Sequence, residues 1–204
     1  EKYEPRIFQS LAKLFSKTAL EVCEGQQWDV DFENRDDVTI PEYLKMIEYK
    51  TAVLVAAAMK MGAIIAETNE ENCNAIYDFG LNLGIAFQLQ DDILDVYGDP
   101  EKFGKQIGGD IIANKKTYLL LKLHELAKAA DLQQLTEQAA NTAYTAKIDN
   151  ITAMYDSYQI KELASAQMRE YLDKAFKALE QIDVPQEQKK ELISLANALM
   201  HRES

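Results

Sequence analysis

The 204-residue sequence has few of the residues that organise disulfide-rich, zinc-binding or β-rich proteins. Its two cysteines are too few for a disulfide framework, and its two histidines do not stand at a zinc-binding spacing. Four prolines and eight glycines are too few to turn the chain every ten residues, as a sandwich or barrel requires. The longest apolar run, residues 52–59, is too short to cross a membrane. These absences favour an all-α protein.

Positive charge is also scarce, with 22 Lys and Arg against 34 Asp and Glu and a net charge of −12. A general nucleic-acid-binding protein needs a basic surface that displaces counterions, so this class is excluded. An acidic balance suits a protein that gathers divalent cations. Because 47% of the residues are hydrophobic, the chain can bury a core, and wholesale disorder is excluded as well.

The apolar pattern predicts a series of helices separated by short breaks. The first begins near Pro5 and ends at Gly25, and residues 26–39 are expected to form a loop. A second, long helix begins at Pro41 and continues through residue 65, and its apolar second half predicts a central position. A third runs from about Glu70 to Tyr97. Five more amphipathic helices follow, over residues 117–130, 132–143, 146–158, 160–182 and 185–202. We predict one all-α domain over residues 1–204.

The most informative stretch is an acidic cluster near the end of the third predicted helix, formed by Asp91, Asp92 and Asp95. Asp91 and Asp95 are four residues apart, so their carboxylates project from one helix face with Asp92 beside them. The apolar run before them, residues 81–87, would normally be buried, and buried carboxylates need a cation to offset desolvation. Oxygen ligands without His or Cys indicate Mg²⁺ as the cofactor. On these residues alone, a solvated acidic helix face is an equal alternative.

A glycine-rich segment with lysines follows the acidic cluster. Lys105 and Lys115 are point charges suited to a diphosphate, and Gly104, Gly108 and Gly109 let the backbone close over it. Metal-binding carboxylates followed by lysines can neutralise the charge that develops on a departing pyrophosphate. The sequence has no phosphate-binding P-loop and no dinucleotide-binding glycine motif, so nucleotide-binding folds are poor competitors.

These residues resemble the second aspartate-rich region of the trans-polyprenyl diphosphate synthases, the farnesyl- and geranylgeranyl-type chain-elongating prenyltransferases. The match comprises GIAFQLQDDILDVYGD at residues 84–99, GKQIGGD at residues 104–110 and KKT at residues 115–117. Two further segments fit in order and spacing: EGQQWD at residues 24–29 resembles the family's GQxxD segment, and YKTA at residues 49–52 resembles its KT segment. The resemblance implies an isoprenoid-synthase helical bundle around a central cavity.

The resemblance also implies a role for each matched residue. The Mg²⁺ that accompanies an allylic diphosphate would be held by Asp91, Asp92 and Asp95. The diphosphate itself would be contacted by Lys50, Lys105 and Lys115. Thr51 and Gln88 would lie beside the C1 carbon, where their oxygens can stabilise an allylic cation, and Lys50, Thr51 and Gln88 form the expected catalytic set. The remaining matched residues, Gln26 and Asp29, would line the same cavity.

The implied reaction is head-to-tail (1′-4) condensation of isopentenyl diphosphate with an allylic prenyl diphosphate. Pyrophosphate is a plausible base for the final proton removal, so no catalytic His is needed. From the family, we expect a homodimer, which the apolar first helix and the helix after Pro41 would form. Because no signal peptide is visible and the cysteines are few, we expect a cytoplasmic protein.

The sequence departs from the family pattern in two places. It has only one aspartate-rich motif where the family has two, and the upstream segment that holds isopentenyl diphosphate is absent. Since it also begins without Met, we expect the chain to be the C-terminal two thirds of the bundle, with the N-terminal helices missing. We expect this chain alone to be inactive.

Other functions compete with this interpretation. The absent motif allows a catalytically silent partner subunit, although such a subunit has no need for mutually repelling aspartates. A terpene cyclase of the same fold would lack the lysine set, and an acidic interaction module would leave the glycine segment without a purpose. Single residues also have structural readings: Lys50 could be a surface lysine, Thr51 a mid-helix Thr bonded to a carbonyl, and Gln88 a core amide.

Overall fold

The computed structural model describes residues 4–99, 107–140 and 143–200, and all regular structure in these ranges is helical. This confirms the predicted all-α fold class. The ten α-helices and one π-helical turn are α1 (Pro5–Glu33), α2 (Ile40–Ile47), the π turn (Glu48–Ala52), α3 (Val53–Ile65), α4 (Glu70–Tyr97), α5 (Gly109–Ile112), α6 (Tyr118–Leu126), α7 (Ala129–Ala139), α8 (Tyr144–Ser157), α9 (Ile160–Glu180) and α10 (Gln186–Met200).

Helix α1 is eight residues longer than its sequence pattern predicts, because it continues through Gly25 to Glu33. Gly25 is buried against the π turn, where an added Cβ would lie 2.3 Å from the backbone nitrogen of Lys50. Gly25 therefore serves close helix packing and does not end the helix. The prediction of a loop over residues 26–33 was wrong for this reason, and the loop begins only after Glu33.

The segment from Ile40 to Ile65 is one helical run interrupted by the π turn. Thr39 and Glu42 form a reciprocal capping box at its start, and a proline stands in its first turn. The predicted helix start near Pro41 is thus confirmed. The π turn contains Lys50 and Thr51, and wider turns of this kind within α-helices frequently occur at functional sites.

Helix α4 packs against both α3 and α9. Its start at Glu70 and its end before Gly98 agree with the predicted bounds, and the Asn69 side chain accepts a hydrogen bond from the Asn72 amide at the N-terminus. On the α3 side, Gly80 and Gly84 meet residues 56 and 52, where an added Cβ would lie 2.8 and 2.6 Å from the facing Cα atoms. The two glycines therefore let the helix axes approach closely.

Two apolar clusters hold the helices together. One lies beneath the C-terminal half of α4 and joins α2, α6 and α8, with Tyr43, Leu89, Leu123 and Tyr155 almost fully buried. The other surrounds Phe79 and joins the first half of α4 to α9 and α10. Each fully buried large apolar side chain contributes about 1.5 to 3 kcal/mol relative to an exposed one. The functional residues of α4 thus lie on a helix fixed from two sides.

Helices α1 and α3 leave apolar side chains uncovered. Phe8 and Phe15 on α1 are 70% and 64% exposed, and Leu54 on α3 is 58% exposed. Helix α3 is therefore buried on one face only, and its predicted central position is correct only for that face. In the described ranges, no helix combines the length and apolar character needed to span a membrane.

Candidate active site

A cleft forms where α1, α2, the π turn and α4 face the segment after α5. Most of its polar lining was expected from the sequence. The polar and charged residues that line it include Asp29, Tyr43, Lys50, Gln88, Asp92, Asp110, Lys115 and Lys116. The cleft is thus lined by both cations and carboxylates.

Lys50 is directed across the cleft by the π turn. Its Nζ donates to Asp29 Oδ2 of α1 at 2.6 Å, and both side chains remain about 30% exposed, at 28% and 30%. The rings of Trp28 and Tyr49 stack beside this pair with centroids 5.1 Å apart. Close packing at Gly25 and the ring stack therefore fix the two helices on either side of the ion pair.

Thr51 and Gln88 meet across the π turn and α4. The Thr51 hydroxyl donates to Gln88 Oε1 at 3.2 Å, and Gln88 Nε2 lies 3.5 Å from Asp92 Oδ1. Both side chains are half-buried. The structure thus brings together the three residues that were expected to be catalytic, Lys50, Thr51 and Gln88, on two adjacent elements.

Asp92 is buried, with 5% of its surface exposed. Its Oδ2 accepts hydrogen bonds from the Tyr43 hydroxyl at 2.5 Å and from the Tyr118 amide at 3.3 Å. Burial raises the pKa of Asp92 to about 7, although the Tyr43 hydrogen bond opposes the shift; the charge of Asp110 adds to it. These contacts favour a role in organising α2, α4 and α6 over direct metal binding for this carboxylate.

Asp95 is half-buried and holds the start of α5. Its Oδ2 accepts a hydrogen bond from the Asp110 amide at 3.0 Å, and its backbone oxygen accepts one from the Gly108 amide at 2.6 Å. Burial, reinforced by the charge of Asp110, raises the pKa of Asp95 to about 6. Asp92 and Asp95 are thus two neighbouring carboxyls with raised pKa values, and a cation bound beside them would favour their charged forms.

Lys115 and Lys116 follow α5 and pair with acidic residues. Lys115 Nζ lies 2.9 Å from Asp110 Oδ1, and Lys116 Nζ lies 3.3 Å from the exposed Asp36. Burial lowers the pKa of Lys115, but the hydrogen bond and charge of Asp110 outweigh burial, so the net shift is upward. Lys115 therefore stays charged at neutral pH.

Three of the other predicted residues, Gln26, Asp91 and Asp95, are not among those that line this cleft. Asp91 and Asp95 share one stripe of α4, whereas Asp92 is rotated about 100° from Asp91 toward the protein interior. Gln26 is exposed on α1 and does not line the cleft, so the structure does not support its predicted place there. Lys105 lies outside the described residues.

The acidic residues present suit magnesium by their chemistry, since Mg²⁺ takes oxygen ligands and keeps several waters. Burial, reinforced by the charge of Asp110, raises the pKa of both Asp92 and Asp95, and a divalent cation nearby would offset that cost of keeping the carboxylates charged. Within the described ranges, however, three or more acidic, His or Cys side chains do not converge as a ready metal cage. A bound magnesium would accordingly need oxygen ligands from a phosphate and water as well.

The sequence did not reveal two contributors to the site. Tyr43 of α2 and the Tyr118 amide of α6 both bond to Asp92 from distant parts of the chain. Asp110 belongs to the predicted glycine segment, but its pairing with Asp95 and Lys115 depends on the short helix α5. Spacing along the sequence carries no signal for such contacts.

A second, larger cavity of about 350 Å³ adjoins the cleft. The two share Asp92, Asp110 and residues 115–117, so the segment after α5 forms part of the wall between them. The farther walls of the larger cavity are mainly apolar and come from α6, α7 and α8, for example Leu120, Leu135 and Ile151. The lysine segment therefore has open space on both sides.

Comparison with known proteins gives concordant results. A family model for polyprenyl synthetase matches residues 3–158. A geranylfarnesyl diphosphate synthase of Natronomonas pharaonis is 44% identical over 138 residues, which cover 68% of this chain and 40% of that protein. A short chain isoprenyl diphosphate synthase of Methanothermobacter thermautotrophicus is 34% identical over 186 residues, 91% of this chain and 57% of that protein.

Solved structures agree with the sequence relatives. The crystal structure of geranylgeranyl pyrophosphate synthetase from Pyrococcus horikoshii has a TM-score of 0.91 and 32% identity, and the match covers 98% of this chain and 61% of that one. A crystal structure of geranylgeranyl pyrophosphate synthase has a TM-score of 0.90 and 45% identity, and the match covers 99% of this chain and 63% of that one. The chain thus spans less than two thirds of the length of each of these proteins.

Proposed function

The chain belongs to the polyprenyl synthetase family, and from that premise we propose that the protein is a trans-prenyltransferase. Its reaction would be the head-to-tail (1′-4) condensation of isopentenyl diphosphate with an allylic prenyl diphosphate, with release of pyrophosphate. The names of the relatives support this proposal, since they are prenyl diphosphate synthases. No observation favours a catalytically silent partner subunit.

The arrangement of Lys50 and Lys115 around one cleft is the observation that carries the proposal. The two lysines lie on different elements, and each is already paired with a carboxylate, Asp29 or Asp110. Both ammonium groups remain partly exposed, so a diphosphate can replace those carboxylates as the partner. A ligand with two linked phosphates can contact both lysines, which a single carboxylate cannot.

Binding of the allylic diphosphate at these lysines prepares its ionisation. When the C1–O bond breaks, its electron pair leaves with pyrophosphate, and the ammonium groups stabilise the charge that develops there. The Thr51 and Gln88 oxygens would face the electron-poor C1 carbon. Their mutual hydrogen bond, together with the contact to Asp92, fixes their orientation before substrate binds.

Asp91 and Asp95, with Asp92 behind them, would hold Mg²⁺ at the same diphosphate. The metal, when bound, supplies further positive charge at the departing pyrophosphate. The donor types fit, and the upward pKa shifts of Asp92 and Asp95 support a need for a cation nearby. Lys105 is expected to contact the diphosphate as well.

The condensation is completed by isopentenyl diphosphate. The π electrons of its terminal double bond form the new bond to C1, and a proton then leaves the carbon next to the new cationic centre. Since no histidine lines the described cleft, the released pyrophosphate is the proposed base. This arrangement needs no catalytic imidazole.

We further propose that the protein is a cytoplasmic homodimer. The exposed Phe8 and Phe15 of α1 and Leu54 of α3 would be covered by a second copy.

The activity can be tested on the full-length protein with isopentenyl diphosphate and allylic diphosphates of five, ten and fifteen carbons. Formation of a longer prenyl diphosphate together with pyrophosphate is expected, and Lys50→Met should reduce kcat/KM by at least about 100-fold. Lys190→Met is the matched control, because Lys190 is 64% exposed, pairs with Glu187 of its own helix and does not line the cleft. Absence of condensation with every allylic substrate would refute the proposed function.

A further inference from the structure

Lys147 of α8 is a buried lysine beside the candidate site, with 1% of its surface exposed. Its Nζ donates to the Ile112 backbone oxygen at 3.0 Å, to Asn114 Oδ1 at 2.7 Å and to the Ala139 backbone oxygen at 3.5 Å. An ammonium has three donors, and here each has a neutral acceptor. Because a buried charge is costly unless it is fully hydrogen-bonded, such an arrangement indicates a specific role.

Two of the three acceptors lie at helix C-termini. Ile112 ends α5 and Ala139 ends α7, and both carbonyls belong to the negative end of a helix, where a cation is favoured. Lys147 thus joins the ends of two helices that come from different parts of the chain. Burial lowers the pKa of Lys147, and these acceptors favour its charged form.

The third acceptor, Asn114, has an unusual backbone conformation. Its φ is +53°, in the left-handed region, which Asn adopts more readily than most residues other than Gly because its side chain can hydrogen-bond locally. Its side chain is held at both ends: Oδ1 accepts from Lys147, and Nδ2 donates to the Ala139 oxygen at 3.2 Å. Lys115 follows directly, so the conformation at Asn114 sets the direction in which Lys115 leaves α5.

The neighbouring residue on α8 holds the opposite end of α5. Ile148 packs against Gly108, which precedes α5 with φ +76°, and a Cβ added to Gly108 would lie 2.7 Å from Ile148 Cγ1. The Gly108 amide in turn donates to the Asp95 backbone oxygen. Lys147 and Ile148 therefore fix both ends of the short helix that carries Asp110.

We propose that Lys147 is a positioning residue for the diphosphate site. Its hydrogen bonds hold the segment 112–115 against the C-terminus of α7, and so keep Lys115 and Asp110 at the cleft. Lys115, at the end of this segment, lines both the cleft and the 350 Å³ cavity, so the segment could relax into that space without the Lys147 contacts. This inference rests on the proposed function for the role of Lys115.

The test compares two buried lysines of the full-length protein. Lys189 of α10 is 4% exposed and donates to the Glu180 backbone oxygen at the end of α9, and neither residue lines the cleft. Lys147→Met and Lys189→Met therefore remove the same kind of contact. Both should lower the melting temperature, but only Lys147→Met should weaken binding of inorganic pyrophosphate with Mg²⁺, by about 10-fold or more, as calorimetry measures it.

Hydrogen exchange tests the positioning independently of catalysis. The Lys115 amide donates to the Asp110 backbone oxygen at 3.0 Å, and the Thr117 amide donates to the Lys115 backbone oxygen at 2.9 Å. Both amides should exchange faster in Lys147→Met than in the parent protein, and their exchange rates should be unchanged in Lys189→Met. Unaltered exchange in Lys147→Met, or equal loss of pyrophosphate binding in both variants, would overturn the proposal. If the parent protein forms no prenyl product, the proposed function fails, while the exchange data still decide the role of Lys147.

A second pair of variants tests the proposal even if the Lys147→Met protein does not fold. Asn114 is exposed, so Asn114→Ala removes the Lys147 acceptor without opening the core, and it should also weaken pyrophosphate binding. Asn114→Gly also removes the acceptor but tolerates the positive φ, so it should weaken pyrophosphate binding as well and separate loss of the contact from backbone strain at Ala. Unchanged pyrophosphate binding in Asn114→Ala would contradict the proposed positioning role of Lys147.

Discussion

Gly25→Ala should separate α1 from the π turn and reduce prenyl transfer. A Cβ at residue 25 would lie 2.3 Å from the Lys50 backbone nitrogen, 2.7 Å from the Tyr49 carbonyl carbon and 2.8 Å from the Lys50 Cα. All three are backbone atoms, so no side-chain rotation relieves the clash. The two helical segments must therefore move apart by about 1 Å, since interior packing leaves no free volume to absorb the methyl.

The displacement should affect both stability and activity. Overpacking of this kind costs about 1 to 3 kcal/mol of unfolding free energy. Asp29 lies about one helical turn after residue 25, and its 2.6 Å contact with Lys50 bridges the interface that must widen. A shift of about 1 Å in a substrate-positioning residue can cost about 100-fold in rate, so kcat/KM should fall by about 10- to 100-fold.

Gly62→Ala is the matched control for this experiment. Gly62 lies within α3 and has no atom within 4 Å of an added Cβ, so Ala should stabilise the helix by about 0.5 to 1 kcal/mol. Thermal unfolding and steady-state kinetics of both variants decide the outcome. A Gly25→Ala protein with the parent's melting temperature and kcat/KM would refute the inferred close contact.

Further predictions concern charge, assembly and the isolated chain. Asp91→Ala should lower turnover by orders of magnitude, and near-normal turnover at saturating Mg²⁺ would contradict metal binding there. Between the unfolded pKa of about 3.9 and the folded value of about 7, native Asp92 keeps a proton that the unfolded chain has released, so stability falls as pH rises through this range. Asp92→Asn should thus stabilise the metal-free protein by up to about 4 kcal/mol at pH 8 and hardly at all at pH 4, in urea unfolding with EDTA; equal gains at both pH values would be contrary evidence. Light scattering at micromolar concentration should show a dimer rather than a monomer. The 204-residue chain alone should release no pyrophosphate from the two substrates, since one acidic cluster offers a metal few protein ligands; clear product would disprove this.

Local signals in the sequence were sufficient for much of the fold. Helix α4 could be bounded at Glu70 and Gly98 because its cap and stop residues act on their own backbone. The end of α1 could not be predicted, because Gly25 packs against the π turn and does not end its own helix. In sequence, a glycine that ends a helix looks the same as one that allows a second helix to pack closely. The π turn likewise leaves no pattern in the apolar periodicity.

The site divides along the same line. Lys50, Thr51 and Gln88 could be predicted to lie together because family motifs carry that information, although 37 residues separate Thr51 from Gln88. The hydrogen-bond partners of Asp92 could not be predicted, since Tyr43 is 49 residues away and belongs to no matched motif. Lys147 did leave a signal in the sequence: it takes the first position of the buried stripe of α8, before Ile151, Met154 and Tyr155, where an apolar residue is expected.

The π turn makes this protein sensitive to chain length as well as to residue identity. It holds one residue more than a regular helical turn, so deletion of a single residue between Ile47 and Val53 would let the hydrogen-bond ladder close as an ordinary α-helix. Because the extra residue is taken up within the turn, α2 and α3 would stay in phase, but Lys50 and Thr51 would lose the wide turn from which they reach Asp29 and Gln88. Single-residue deletions here should therefore leave a folded protein that has lost prenyl transfer.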